Sequence, residues 1–462
     1  MTGGQETRAP GTAGMLDLDM ASNQSNTIMD PMDDGPNYTA DLHLHSRYAY
    51  ATSKYLSLDS LSAWAKLKGI DLLASADFTH PAWLQELRRG LTPAGGGSGG
   101  PSGGSEGIYT YNGVHFVLGT EVSCVYRQGG RSRRLHLLLF APDLEAVDRV
   151  NRRLAGYGRL DADGRPTLAL SARDLVSLVL EADHRCLVIP AHLWTPWFGA
   201  LGSKSGFDSL EDCFGDMYPE IQAVETGLSS DPSMNRQVPE IQGKTIVSFS
   251  DAHSPAKLGR EATVFRGEMS YPGLAQALAE GGVAYTLEFY PEEGKYHNSG
   301  HRRCGVSLGG QGSAEVANDS TGLCPRCGRP LTIGVKGRIS ALAQQGYGGR
   351  TRVETPAGSD PTEIESKPPF MKLLPLQEIM AQSMGLGVGS KRLQAEYHRI
   401  VFEIGGELRA LTKAGEDELT AAAGEGLAGL VMRARRGQVV VEPGYDGVYG
   451  KVRVMAKGES PA

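Results

Sequence analysis

The chain is short of several things, and each shortage excludes something. Six cysteines in 462 residues, two of them in a C-x-x-C, are too few for a disulfide framework and point to metal binding and buried thiols. No apolar run is long enough to cross a bilayer, and the N-terminus lacks a basic-then-apolar signal pattern, so a cytoplasmic protein without membrane contact is expected. Charge of one sign is not in excess. The 46 basic and 53 acidic residues leave a net charge of -7, which excludes a uniformly basic nucleic-acid coat while leaving room for local patches such as "RQGGRSRRLH", "HRRC" and "VMRARRG". The apolar share of 40% and charged share of 21% are ordinary for a globular chain long enough for two or three domains.

Low-complexity stretches punctuate the chain. Residues 1–37 carry Gly, Thr, Ser, Asn and Asp without apolar periodicity and read as a disordered tail. "TPAGGGSGGPSGGSEG" reads as a flexible insert over 92–107, and a polar, Pro-rich linker is expected over 346–369. These divide the chain into a barrel over 38–290, a small metal module over 291–345 and a mostly helical domain over 370–462.

Within 38–290, apolar segments with strand character alternate with helical ones such as "LDSLSAWAKLKG", "LEAVDRVNRRL", "ARDLVSLVLEA" and "YPGLAQALAEGG", the pattern of βα units in a parallel sheet. Seven candidate strands, "ADLHLH", "GIDLLASAD", "VHFVLGTEV", "RLHLLLFAP", "CLVIPAH", "IQAVET" and "TIVSFSDAH", predict an α/β barrel. In such barrels the active site gathers at the C-terminal ends of the strands. His43 and His45 end the first strand, and their two-residue spacing turns both to one face. Asp77, Glu121, His192 and Glu225 end later strands, Asp251 and His253 end the last, and His136 lies near the start of the fourth. One carboxylate at a strand end is as a rule a cap. Repetition around the barrel is not expected of a packing core, where these residues have no role, and it points to a polynuclear metal site.

Past Tyr290, "KYHNSGHRRCG" supplies His297, His301 and Cys304, and "CPRCG" supplies Cys324 and Cys327. Such a knuckle brings two thiolates to one zinc, and four ligands leave no position for water, so this zinc is structural. His297 and His301 compete for one place, and the H-x-x-C spacing favours His301. A redox C-x-x-C is the rival, but the strand-then-helix setting is missing. Further on, "GLGVGSK" joins two helical stretches. Gly385, Gly387 and Gly389 would leave backbone N–H groups free to approach a phosphate, with Lys391 and Arg392 adding charge, like a helix-hairpin-helix. The loop "HLWTPWFG" sets Trp194, Trp197 and Phe198 beside the metals, where they would line a base pocket. Cys124, Cys186 and Cys213 read as buried thiols.

"DLHLHS", "GTEV", "PAH" and "SDAH" resemble the motifs of the polymerase and histidinol phosphatase (PHP) superfamily. "SADFTHPAW", "PAHLWTPWFG", "VETGLSSDP", "SFSDAHSPAKLGRE", "EEGKYHNSGHRRCG", "CPRCGRPLT" and "PGYDGVYG" are similar, nearly end to end from Tyr38 to Val454, to the endonuclease Q family. The resemblance implies a distorted seven-stranded PHP barrel. It also implies a DNA repair endonuclease that nicks 5′ of a deaminated base (hypoxanthine, uracil or xanthine) or an abasic site, leaving a 3′-hydroxyl. It carries the metal ligands onto His43, His45, Glu121, His136, His192, Asp251 and His253, with Asp77 and Glu225 completing the strand-end set. Asp251, Glu121, His43 and His45 are the expected catalytic group. Where many PHP proteins read "TDH", this chain reads "ADF". Phe78 replaces the histidine, and either His80 substitutes or one metal is bound weakly, so two or three barrel ions (Zn2+, Mn2+ or Mg2+) are expected. A PHP phosphatase acting on a small phosphate ester is the alternative, but it leaves the zinc module and the helical domain without a purpose.

Overall fold

The computed structural model describes residues 36–95, 106–309, 322–345 and 368–459. Most of the expected tail, insert and linker lie outside them. All seven expected strands form: β1 (Asn37–Asp41), β2 (Leu72–Ala74), β3 (Val114–Gln128), β4 (Arg131–Ala141), β5 (Leu187–Pro190), β6 (Ala223–Glu225) and β7 (Thr245–Val247). β1, β2 and β3 run parallel through Ala40 to Leu72 and Leu72 to His115. β6 and β7 are parallel through Ala223 and Thr245. The Leu193 N–H donates to the Glu225 carbonyl at 3.1 Å beyond the ends of β5 and β6, and a parallel bridge between Leu44 and Ala252 closes the ring.

The middle of the ring departs from the all-parallel expectation. β3 and β4 form a long antiparallel hairpin, Glu121 opposite Leu138, and β4 pairs antiparallel with β5. The cause is local. Gly129 and Gly130 join β3 to β4 with φ of 58° and 75°, the left-handed pair that a two-residue hairpin demands. Two further strands, β8 (Ala262–Arg266) and β9 (Val283–Glu288), extend the sheet antiparallel from β1.

Helices cover the outside where the periodicity placed them, at Leu58–Lys68, Pro81–Gly90, Leu144–Leu154, Ala172–Ala182 and Tyr271–Glu280. The side chains of Ser57, Asp143, Ser171 and Ser270 each accept a first-turn backbone N–H, which fixes where each helix begins. The core between the two layers is closely filled by residues such as Leu61, Trp83, Phe116, Leu139, Val179 and Phe249, all below 2% exposed.

The C-terminal region is knitted to the barrel. Its first strand, β10 (Phe370–Lys372), adds in parallel to β9. Four helices follow, Leu376–Met384, Lys391–Ile404, Glu407–Thr412 and Glu416–Arg435, and then an antiparallel hairpin of β11 (Val439–Glu442) and β12 (Lys451–Val454). A buried ion pair joins Lys68 on the barrel to Glu407, whose carboxylate also accepts from the Tyr397 hydroxyl and the Leu376 N–H. That hairpin returns to the metal module, where the Gly444 N–H donates to the Glu292 carbonyl at 2.8 Å and the Asn298 N–H to the Gly444 carbonyl at 2.9 Å. No helix among the described residues is long and apolar enough to cross a membrane.

Candidate metal centre

The expected ligands converge, although Glu121 and His136 stand in the middle of β3 and β4, because the hairpin carries both strands beyond the expected ends. His43, His45, Glu121 and Asp251 offer atoms that all lie within 4.8 Å of one another, and so do Glu121, His136 and His192. Glu121 belongs to both groups. Its Oε1 is 2.7 Å from His136 Nδ1 and 3.2 Å from His192 Nε2, and its Oε2 is 3.3 Å from His45 Nε2. Asp251 Oδ1 stands 3.5 Å from His43 Nε2 and 3.2 Å from His45 Nε2.

A second layer aims these groups. His43 Nδ1 faces Glu225 at 2.9 Å, and His45 Nδ1 faces Asp77 at 3.2 Å. His192 Nδ1 meets the Thr195 hydroxyl at 2.9 Å. Each partner turns the opposite nitrogen toward the centre and sets its tautomer. Asp77 is held in turn by the Ser46 N–H at 2.7 Å and hydroxyl at 2.6 Å. Expected ligands therefore divide. Asp77 and Glu225 do not join the converging atoms, because their oxygens are already spent on histidines and backbone. His253 is outside both groups but adjoins them, its Nδ1 2.9 Å from the Asp251 carbonyl and 3.4 Å from Asp251 Oδ1. Phe78 is buried in the core, and His80 stacks on Tyr48 with ring centroids 4.5 Å apart, so neither completes a third group among the described residues.

Three buried atoms bear on what the centre would hold. His43 Nε2, His45 Nε2 and Asp251 Oδ1 have no hydrogen-bond partner among the described residues, an expensive arrangement for polar atoms that a cation between them would relieve. Nitrogen and carboxylate donors in this number fit divalent transition ions. Burial would lift the Glu121 carboxyl, yet His136, His43 and Arg165 around it hold it well below the usual carboxylate range. Burial brings the His136 imidazole down to about 4 even with the Glu121 carboxylate beside it. The backbone is strained at the same places. Asp77, His192 and Asp251 sit at φ of 35°, 31° and 46°, a conformation that persists only where surroundings enforce it. At Gly227, an added Cβ would lie 2.4 Å from His192 Cβ, so glycine is required there.

Sequence reasoning missed several members of this site. Asp41 accepts the Ser250 and Gly259 N–H groups at 3.0 and 2.9 Å and so ties the first strand to the Asp251 loop. Arg260 grips the Ser250 and Asp251 carbonyls at 2.8 and 3.2 Å. Arg165 places Nη1 3.1 Å from Glu121 Oε2. Asp41 and Arg165 are distant in sequence from what they touch, and Arg260, nine and ten positions from its partners, lies on a loop without periodicity to aim it.

No family model matches the chain. The crystal structure of the lesion-specific endonuclease PfuEndoQ from Pyrococcus furiosus superposes with a TM-score of 0.74 at 30% identity, covering 91% of this chain and 96% of that one. The chain belongs to the endonuclease Q family. An endonuclease Q in complex with a 27-mer duplex carrying an abasic lesion at its active site gives the same TM-score, 29% identity, and coverage of 91% and 98%. Two uncharacterised proteins are also similar. One, from Methanocaldococcus jannaschii, is 29% identical over 269 residues, 56% of this chain and 31% of that protein; YqxK of Bacillus subtilis is 28% identical over 432 residues, 90% and 98%. The chain thus spans about a third of the first relative's length and nearly all of the second's.

Like the barrel, the module places its ligand-type side chains together. His301, Cys304, Cys324 and Cys327 offer atoms within 4.8 Å of one another. The Cys327 and Gly328 N–H groups donate to the Cys324 carbonyl at 3.3 and 2.8 Å, forming the knuckle, and Gly328 at φ 65° makes its turn. His297 points elsewhere and is buried with Nδ1 unpartnered. The aromatic loop is split. Trp194 is 1% exposed and donates its indole N–H to Asn235 at 2.7 Å, so it is core and not a base-stacking surface. Phe198 packs against His136 at 4.5 Å between ring centroids. Trp197 remains 42% exposed beside Tyr296 of the module. Gly385, Gly387 and Gly389 lie in an exposed turn with nothing within 4 Å of an added Cβ, and Lys391 and Arg392 open the following helix, both exposed.

Proposed function

We propose that this chain is a DNA repair endonuclease that hydrolyses the phosphodiester bond 5′ to a deaminated base or an abasic site. The observation that carries the reading is Glu121 shared between two ligand-type groups at the mouth of the barrel, within a chain similar to endonuclease Q structures over 91% of its length. These groups would hold two divalent ions, which when bound would supply Lewis acidity and lower the pKa of a water for attack at phosphorus.

The chain's own residues do the rest. Glu121 would bridge the two positions. His43, His45 and Asp251 would hold one, and His136 and His192 the other. Asp251, 24% exposed at its side chain, is the ligand turned furthest toward the mouth, where it would also orient the attacking water. His301, Cys304, Cys324 and Cys327 would hold a structural zinc. Trp197 would stack on the extruded nucleotide, and the turn at Gly385–Gly389 with Lys391 and Arg392 would hold the duplex by its phosphates.

The test is a nicking assay on duplexes carrying one hypoxanthine, uracil or abasic site, with manganese or magnesium supplied. The expected product is one cut 5′ of the lesion, leaving a 3′-hydroxyl. Asp251→Ala should lower the rate more than about a hundredfold, at least the loss seen when a ligand's own support is removed. An Asp251→Ala protein that nicks at the native rate overturns the assignment of the site.

A further inference from the structure

Arg165 is used by none of the roles above, yet it touches the centre. Its Nη1 lies 3.1 Å from Glu121 Oε2, the side chain is only 19% exposed, and no other hydrogen bond engages its guanidinium among the described residues. The loop that carries it is fixed. The Gly164 N–H donates to the Tyr48 carbonyl at 3.0 Å, the Thr79 hydroxyl donates to the Gly164 carbonyl at 3.3 Å, and Asp163 Oδ1 accepts the N–H groups of Tyr50 and Arg165, both at 3.0 Å. An added Cβ at Gly164 would lie 2.3 Å from Asp77 Oδ2, so the loop is pressed directly onto the second layer of the site.

Such a residue is costly in a cation site. Guanidinium is always charged, and here it stands on the one carboxylate shared by both ligand groups. Two divalent ions already outweigh the charges of Glu121 and Asp251, so a further fixed positive charge weakens their binding. The arrangement becomes favourable when an anion enters, because the unused N–H donors form a planar fork that matches phosphate oxygens. The second motif gives the same indication. Phe78 offers no ligand atom, Asp77 is consumed by Ser46 and His45, and Arg165 supplies positive charge at Glu121 Oε2, the oxygen that His45 Nε2 meets at 3.3 Å.

We infer that Arg165 is a catalytic residue, a third fixed positive charge that grips a non-bridging oxygen of the scissile phosphate beside the two ions. This rests on the endonuclease reading for its substrate. As the phosphorus becomes five-coordinate its equatorial oxygens gain charge, and a preorganised donor aimed at them acts mainly in the transition state.

The test uses full-length Arg165→Gln and Arg165→Lys proteins on a duplex with one abasic site. Bound metal is measured by elemental analysis and cleavage in single turnover at saturating DNA. The glutamine protein should keep at least the native metal content while its saturated rate falls by about 10²–10³, and the lysine protein should lie between. An undiminished rate overturns the inference. So does metal lost in step with rate, because Arg165 would then support the ions and not the substrate. If the native protein binds metal but leaves every lesion duplex intact, the endonuclease reading fails by itself. The inference is then decided on bis(p-nitrophenyl) phosphate, a small phosphodiester, where the same loss is required.

Discussion

Replacing Glu225 by glutamine changes one atom, and the structure says why that is enough. Glu225 receives two donors at once: His43 Nδ1 at 2.9 and 3.1 Å from its two oxygens, and the His192 backbone N–H at 2.6 Å from Oε2. A carboxylate satisfies both. An amide has one oxygen, so one donor must face its NH2. If the NH2 faces His43, Nδ1 becomes the acceptor and the proton moves to Nε2, the atom that faces Glu121 and Asp251, which removes a ligand. If it faces His192, a buried backbone donor is left unmet at about 1–3 kcal/mol, on a residue already at φ 31°. Either outcome predicts metal affinity lower by about 10–100-fold with the fold intact. The assay is the metal concentration at half-maximal nicking, backed by direct titration of metal into the apoprotein. Glu225→Gln protein with the native midpoint refutes the orientation argument, because no placement of the amide leaves both donors satisfied.

Two further outcomes follow from the same geometry. Burial pushes the Glu288 carboxyl up to about 8, so the folded chain holds a proton that the unfolded chain has released. That stability is full below the ordinary carboxylate range and drains as pH rises through about 8. Glu288→Gln should therefore flatten melting temperature against pH and gain about 1–3 kcal/mol at pH 9, whereas an unchanged slope argues against a protonated Glu288. Trp197→Ala should narrow the difference in nicking rate between lesion and undamaged duplex by the worth of one stacked base, about 1–3 kcal/mol, and equal discrimination by both proteins removes Trp197 from the base pocket.

Much of the site was legible in the chain. His43, His45, His192 and Asp251 lie just past strand ends that alternation placed, and a barrel sends such ends to one rim; Glu121 and His136 were legible as ligand types, but they stand mid-strand in the hairpin. Helix positions were equally readable, since Ser57, Asp143, Ser171 and Ser270 are local caps. The Gly-Gly that turns β3 back on β4 was also visible in "RQGGRS", and reading it as a hairpin would have anticipated the antiparallel pair.

Tertiary structure decided what depends on direction and distance. Sequence marks Asp77 and Glu225 as carboxylates at strand ends, but only the fold shows their oxygens turned onto histidine nitrogens behind the centre. It likewise buries Trp194 against Asn235 while leaving Trp197 in solvent three residues on, because a loop without periodicity gives no face to read. Arg165 reaches Glu121 across 44 positions of chain. Periodicity determines which residues share a face of one element; which faces meet, and which donor finds which acceptor, is settled by how the elements close on one another.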